Sequence, residues 1–165
     1  MIDVQSRHLA ETGVSPELTV EVPGVSCFLG PFAAFSGGSS LCAADSRVLE
    51  LCVSRREDSQ VRILNTHTND KKHFSLNSIK FRKEDRWGNY VKGAVGELFR
   101  QKVPVRGMNI TLGGEIAGAA PVLQCCATAV ATIIAVCRLA GYDINRLDLF
   151  HSVAMVVTSF CGEYC

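Results

Sequence analysis

Net charge is almost missing from this 165-residue chain, in which 17 Lys and Arg face 16 Asp and Glu. That balance leaves no electrostatic footprint for nucleic acid or an anionic membrane, and neither is expected as a partner. No C-x-x-C pair occurs among the eight cysteines. His67 and His73 sit in a polar stretch, and Cys161 and Cys165 are spaced i, i+4, so the usual zinc-ligand spacings are lacking and no metal is expected. The opening MIDVQSRHLAETG has no basic-then-apolar layout of a signal peptide. Cys125 and Cys126 are neighbours, a poor geometry for a mutual bridge. A reduced, cytoplasmic protein that uses Cys as a small buried hydrophobe is therefore expected. Internal repeats and low-complexity linkers are absent too, which leaves one domain over residues 1–165, long enough to bury a core.

Charge is also absent from Ile116 to Cys137, a run long enough to span a bilayer. Gly118, Pro121, Gln124, Thr128 and Thr132 dilute it, so the expectation is a buried core helix over Val122–Leu139, closed by Gly141. What is present elsewhere is alternation. Leu18–Val22 (LTVEV) reads as a strand, and Cys27–Leu29 and Ser40–Ala44 read as short strands around a glycine turn at Gly37-Gly38. Val48–Ser54 and Gln60–Asn65, separated by the charged turn Arg55–Ser59, read as a hairpin. Asn65–His73 reads as a solvated loop. Ser6–Thr12 fits a short helix before the turn at Gly13–Pro16. Trp87, Tyr90, Val91, Val95, Leu98 and Phe99 fall at i, i+3, i+4 spacing, an amphipathic helix over Trp87–Phe99. Gly107–Leu112 reads as a strand, and Asn145 caps a last helix reaching about Ser159. This order implies an α+β fold, a mixed sheet with helices packed on one face.

Five segments carry a resemblance. The stretch VPGVSCFLGPFAAFSGG, ending at Gly38, is similar without a gap to A-P-G-R-V-N-L-I-G-E-H-T-D-Y-N-x-G. It keeps Gly24, Phe28, Leu29, Gly30, Phe35 and Gly38. Its lead-in GVSPELTVEVPG, WGNYVKG at Trp87–Gly93, TAVAT at Thr128–Thr132 and TSFCGEYC at Thr158–Cys165 follow in order and at matching intervals. The chain thereby resembles the galactokinase family of GHMP sugar kinases, over their N-terminal domain. The resemblance implies the ribosomal protein S5 domain 2-like fold, an ancestral reaction in which ATP phosphorylates galactose at the anomeric hydroxyl, and ATP and Mg as cofactors.

The departures are as ordered as the matches. Where the family has an arginine near the reaction centre, this chain has Val25, which replaces a donor of charge-assisted hydrogen bonds with a methyl-bearing stub. The resemblance places substrate-binding positions at Pro31, Phe32, Ala34 and Phe35, and Ala33 lies among them; apolar groups there leave a polyol's hydroxyls unpaired. Nucleotide positions fall on Trp87, Gly118, Ala120, Leu123, Gln124 and Cys125, where the family's phosphate loop has glycines and serines. Pro121 removes one backbone donor, although proline suits a helix's first turn. Val157 stands where the family carries a glutamate associated with magnesium, and the family's catalytic Asp falls beyond Cys165, as does its C-terminal domain. The expectation is a galactokinase-like protein that is not catalytic and binds neither ATP nor Mg tightly. Two alternatives stay open. One is an active kinase half completed by a separate C-terminal chain, with Arg82, Lys83 or Arg100 supplying charge; the other is a protein-interaction or sensor module with another protein as partner.

Overall fold

Leu49, Leu51 and Val53 are buried and alternate with Glu50, Cys52 and Ser54, so this strand sorts its side chains onto two faces. The computed structural model describes residues 3–30, 33–118 and 121–162. Five strands, β1 (Leu18–Leu29), β2 (Leu41–Arg55), β3 (Gln60–Asn65), β4 (Asp70–Ser75) and β5 (Met108–Gly114), form one sheet in the order β1-β2-β5-β3-β4. The β3–β5 pair is parallel and the others are antiparallel, so the sheet is mixed. Among the described residues, four α-helices accompany it: α1 (Val4–Thr12), α2 (Gly88–Arg100), α3 (Pro121–Ala140) and α4 (Arg146–Ala154). A π-helical turn, Met155–Phe160, continues α4.

The core lies between one sheet face and α2 and α3. Leu49, Leu51, Ile110 and Leu112 meet Val91, Leu98 and Ile133, all essentially without solvent contact. Burying each such side chain stabilises the fold by about 1.5–3 kcal/mol. α4 rests on α2 and α3 rather than on the sheet. α1 adds a layer on the opposite face. Its His8 is fully buried between Ser54 and Thr111, with Nε2 2.9 Å from Ser54 Oγ and Nδ1 2.9 Å from Thr111 Oγ1. The apolar run in α3 is core, as its composition implies: Cys125, Ala129, Ala131, Ile133 and Cys137 are buried. Asn145 caps α4, its side-chain oxygen accepting from the Leu147 and Asp148 amides.

Two sequence expectations fail. Val48–Ser54 and Gln60–Asn65 are not a hairpin, because β5 lies between them. The connector Arg55–Ser59 steps over the start of that strand. The Arg56 amide donates to Gly107 O at 2.9 Å, and a Cβ on Gly107 would lie 1.9 Å from Asp58 O, a crossing that only glycine admits. The polar run Asn65–His73 is not all loop either. It turns at Asn69, with φ of 52°, and enters β4, which pairs with β3. As an edge strand β4 sends only Phe74 into the core, so its sequence shows little alternation. The short strands at Cys27–Leu29 and Ser40–Ala44 belong to the far ends of the long β1 and β2, which pair as a two-stranded arm. The last helix stops being α-helical at Ala154.

Candidate functional site

The β1–β2 arm, the turn after β5 and the start of α3 meet at one end of the sheet. Pro23 pairs with Val48 and Val25 with Ala44, which leaves Asp45–Arg47 bulged opposite Gly24. The Asp45 carboxylate turns back over the strand. It accepts from Ser26 Oγ at 3.0 Å and from the Arg47 amide at 3.0 Å, and it pairs with Arg47 Nη2 at 2.5 Å. A Cβ on Gly24 would lie 2.6 Å from Asp45 Oδ1, which explains a glycine there. Hydrogen bonds from Arg47 hold the Asp45 carboxyl down at about 2, so it is charged throughout the neutral range. Arg47 also feels Glu115, the first residue of the 3-10 turn Glu115–Gly118 that follows β5. The guanidinium this bulge provides is thus already ion-paired with a carboxylate. Val25 stands beside the cluster, 54% exposed and without a polar atom on its side chain.

The connection between the arm's strands is glycine-built. Gly30 has φ of 64°, and a Cβ there would lie 2.5 Å from Ser39 O. The Ala33 amide donates to Gly30 O and the Gly38 amide to Ala33 O, framing the 3-10 turn Ala33–Ser36. Ala34 and Phe35 lie in that turn; Pro31 and Phe32 fall outside the described residues.

On the helical side, Gly118 ends the turn before α3, and Ala120 falls outside the described residues. Cys125 is fully buried and Leu123 packs against the core. Gln124 lines a depression of about 380 Å³ with Phe81, Lys83, Arg86, Trp87 and Tyr90. Of the sequence-derived nucleotide positions, Trp87 and Gln124 are therefore brought together, whereas Leu123 and Cys125 face the interior. Arg86 adopts φ of 44°, a conformation rare for a side chain of its kind, and this directs the chain into α2 at Trp87.

The polar groups of Trp87, Asn89 and Lys92 in the WGNYVKG segment have structural work. Trp87 Nε1 donates to Asp70 Oδ2 at 3.1 Å. The Asn89 side chain clamps Arg82 from both sides: its Nδ2 donates to Arg82 O at 2.7 Å, and its Oδ1 accepts from the Arg82 amide at 3.2 Å. Lys92 is buried, ion-paired with Asp85 and placed 5.7 Å above the centre of the Phe74 ring. Gly93 lets the π-helical turn approach, since a Cβ would lie 2.8 Å from Val156 Cγ1. Val157 is buried in the core. Arg100 is paired with Glu97.

Arg47, Arg86 and Tyr90 are site-region residues that the sequence does not single out. Arg86 and Tyr90 flank the Trp-x-Asn pattern and were readable as its neighbours. Arg47 has no such signal, because only the bulge in β2 brings it beside Gly24. Among the described residues no three His, Cys, Asp or Glu side chains converge as a metal site.

No protein-family model matches this chain. Its sequence is 35% identical over 113 residues to a galactokinase-type protein of Treponema pallidum, covering 68% of this chain and 28% of that protein. It is 34% identical over 95 residues to a galactokinase of Clostridium tetani, covering 57% and 24%. The chain thus matches about a quarter of the length of these relatives. Its fold superposes on Lactococcus lactis galactokinase complexed with galactose with a TM-score of 0.85 at 18% identity, over 98% of this chain and 42% of that one. Methanococcus jannaschii mevalonate kinase follows with a TM-score of 0.75 at 17% identity, over 88% and 47%. The α+β fold is that of the GHMP kinases, and with sequence and fold in agreement the chain belongs to the galactokinases of that family.

Proposed function

We propose that this chain is a galactokinase-derived cytoplasmic protein that does not transfer phosphate on its own. One observation carries the reading: the polar groups this chemistry requires are missing or already occupied. Phosphoryl transfer rests on positioning and on neutralising the charge of the transferred group. Val25 brings no charge, and the guanidinium of Arg47 in the same bulge is paired with Asp45. At the start of α3, Leu123 and Cys125 offer no hydroxyl and point inward, and Pro121 has no N–H to donate. This donor set does not fit Mg-ATP. Lys83 and Arg86 beside the Trp87 depression, together with the helix dipole of α3, supply at most a weak anion attraction.

The test is ADP release by the purified chain with galactose and Mg-ATP, alongside ATP-induced thermal shift. No turnover above a protein-free blank and no shift are expected. Galactose-dependent ADP release would overturn the reading.

A second reading is favoured by a separate observation. Phe28, Leu29 and Leu41 at the arm's end are 66%, 65% and 57% exposed, an apolar surface suited to a second polypeptide. On this reading the chain is one half of a kinase or an interaction module. Activity appearing only when a separate C-terminal kinase half is added would establish the former. A defined complex without activity would establish the latter.

A further inference from the structure

The described cysteines divide into three groups by exposure. Cys52, Cys125 and Cys137 are buried, and burial pushes the Cys52 and Cys137 thiols up to about 11, which makes them poor nucleophiles. Cys126 and Cys161 are half-buried. Cys27 and Cys42 are exposed, and they are cross-strand partners, directly opposite each other in the antiparallel arm. The pairs on one side, Val25 with Ala44 and Ser26 with Ala43, are in unbroken register with them. Their side chains therefore leave the same face of the sheet.

We propose that Cys27 and Cys42 form a dithiol modification site, which a small disulfide such as oxidised glutathione converts reversibly into a disulfide across the arm. Directly opposed residues of an antiparallel pair hold their Cβ atoms about 4.5–5.5 Å apart, and a disulfide needs about 3.5–4.5 Å. The neighbouring Cys42 thiol pushes the Cys27 thiol up from its ordinary range, as two groups of like titration facing each other do. The remaining approach is small. The register irregularity between Cys27 and Leu29 gives β1 slack at that point. Cys27 Sγ also lies 3.3 Å from Leu29 O, so its proton has an acceptor on the same strand.

The exchange balances without any further reagent. A thiolate at one position attacks a sulfur of oxidised glutathione, the glutathione S–S bond breaks, and one glutathione leaves as thiolate and takes up a proton. The second cysteine, deprotonated, attacks the mixed disulfide, the arm's own S–S bond forms, and the second glutathione leaves. Two cysteine thiols are oxidised and one glutathione disulfide is reduced. The bond would tie together the two strands that lead into and out of the segment between Leu29 and Leu41, limiting its freedom. A reversible exchange of this kind is compatible with a compartment that keeps structural thiols reduced.

The experiment equilibrates the folded, fully reduced chain with glutathione buffers of rising disulfide fraction, quenches with iodoacetamide, and reads intact mass and linked peptides. The expected product has lost two hydrogen atoms, carries a single Cys27–Cys42 link and reverts on adding reduced glutathione. In Cys42→Ser, Cys27 should instead keep one glutathione, because no resolving thiol is left; Cys27→Ser should trap the adduct on Cys42. Both positions are exposed, and circular dichroism of each variant checks its fold. Stable glutathione adducts on the unaltered chain without the link, or a link to a different cysteine, would overturn the proposal.

Discussion

The segment Trp87–Gly93 and the bulged arm around Val25 descend from the same family pattern, and they have fared differently. In the first, each side chain is held by other parts of the chain: Trp87 by Asp70, Asn89 by the Arg82 backbone, Lys92 by Asp85, and Gly93 by the close approach of Val156. In the second, what persists is again what the chain itself needs. Gly24 makes room for Asp45, and Gly30 makes room for Ser39 O. The positions with nothing to hold within the fold, such as Val25, are those that depart from the pattern. Between these two regions, the residues with internal contacts keep the pattern, whereas the exposed Val25 departs from it. That contrast fits the proposal of a fold that is kept and a kinase site that is not.

If the frame is maintained in this sense, damage to it should be severe. Leu98 is fully buried between α2 and the sheet, and Leu98→Ala should cost about 2–5 kcal/mol through lost transfer energy and a cavity. Urea unfolding would measure it, and a cost below about 1 kcal/mol would mean the core is looser than its burial implies. A subtler cut at the same frame is Gly93→Ala. The new methyl meets Val156 Cγ1 at 2.8 Å and Phe160 Cδ1 at 2.9 Å. Overpacking of that kind costs about 1–3 kcal/mol. Should Gly93→Ala prove neutral, the retained glycine would have no packing explanation, and a site role for it would be reopened.

How much of this was legible in the sequence followed the range of the interactions. α2, α3 and the Asn145 cap were readable because their signals are local: apolar spacing, a closing Gly141 with φ of 67°, and a side chain that reaches two residues ahead. Strand partnership was not. Nothing in Val48–Asn65 says that a strand some forty residues later inserts between its two halves; that depends on Gly107 passing under Asp58. β4 hid for a related reason, since an edge strand with one core residue carries almost no period. At the site, the losses at Val25 and Leu123 were visible as residue types. The bulge that seats Arg47 against Asp45 was not, because it arises only from the register of β1 against β2.

His8 tests the layer that lies outside the retained motifs. Burial holds its imidazole below the ordinary value of 6.5, with both ring nitrogens engaged by Thr111 and Ser54. The unfolded chain takes up a proton as pH falls through about 6.5, while the folded one resists, so stability falls over that window. The decline stops once pH is below the folded value. Its slope from this one group is at most about 1.4 kcal/mol per pH unit. Urea midpoints taken between about pH 8 and pH 5 should show the fall in the unaltered chain and a flatter profile in His8→Gln. Equal slopes in the two would remove His8 as the cause.

The smallest effect is expected where the comparison began. Val25→Arg restores the family's side chain at a position that is 54% exposed and packs against no core residue. Stability should change by no more than about 0.5 kcal/mol. Activity should not appear either, because one guanidinium supplies neither the hydroxyls absent at Leu123 and Cys125 nor the amide that Pro121 lacks. Galactose-dependent ADP release and a urea midpoint, measured on the same preparation, address both halves. Turnover in Val25→Arg would mean that the site had lost a single residue, and the contrast between a kept frame and an abandoned site would shrink to that one position.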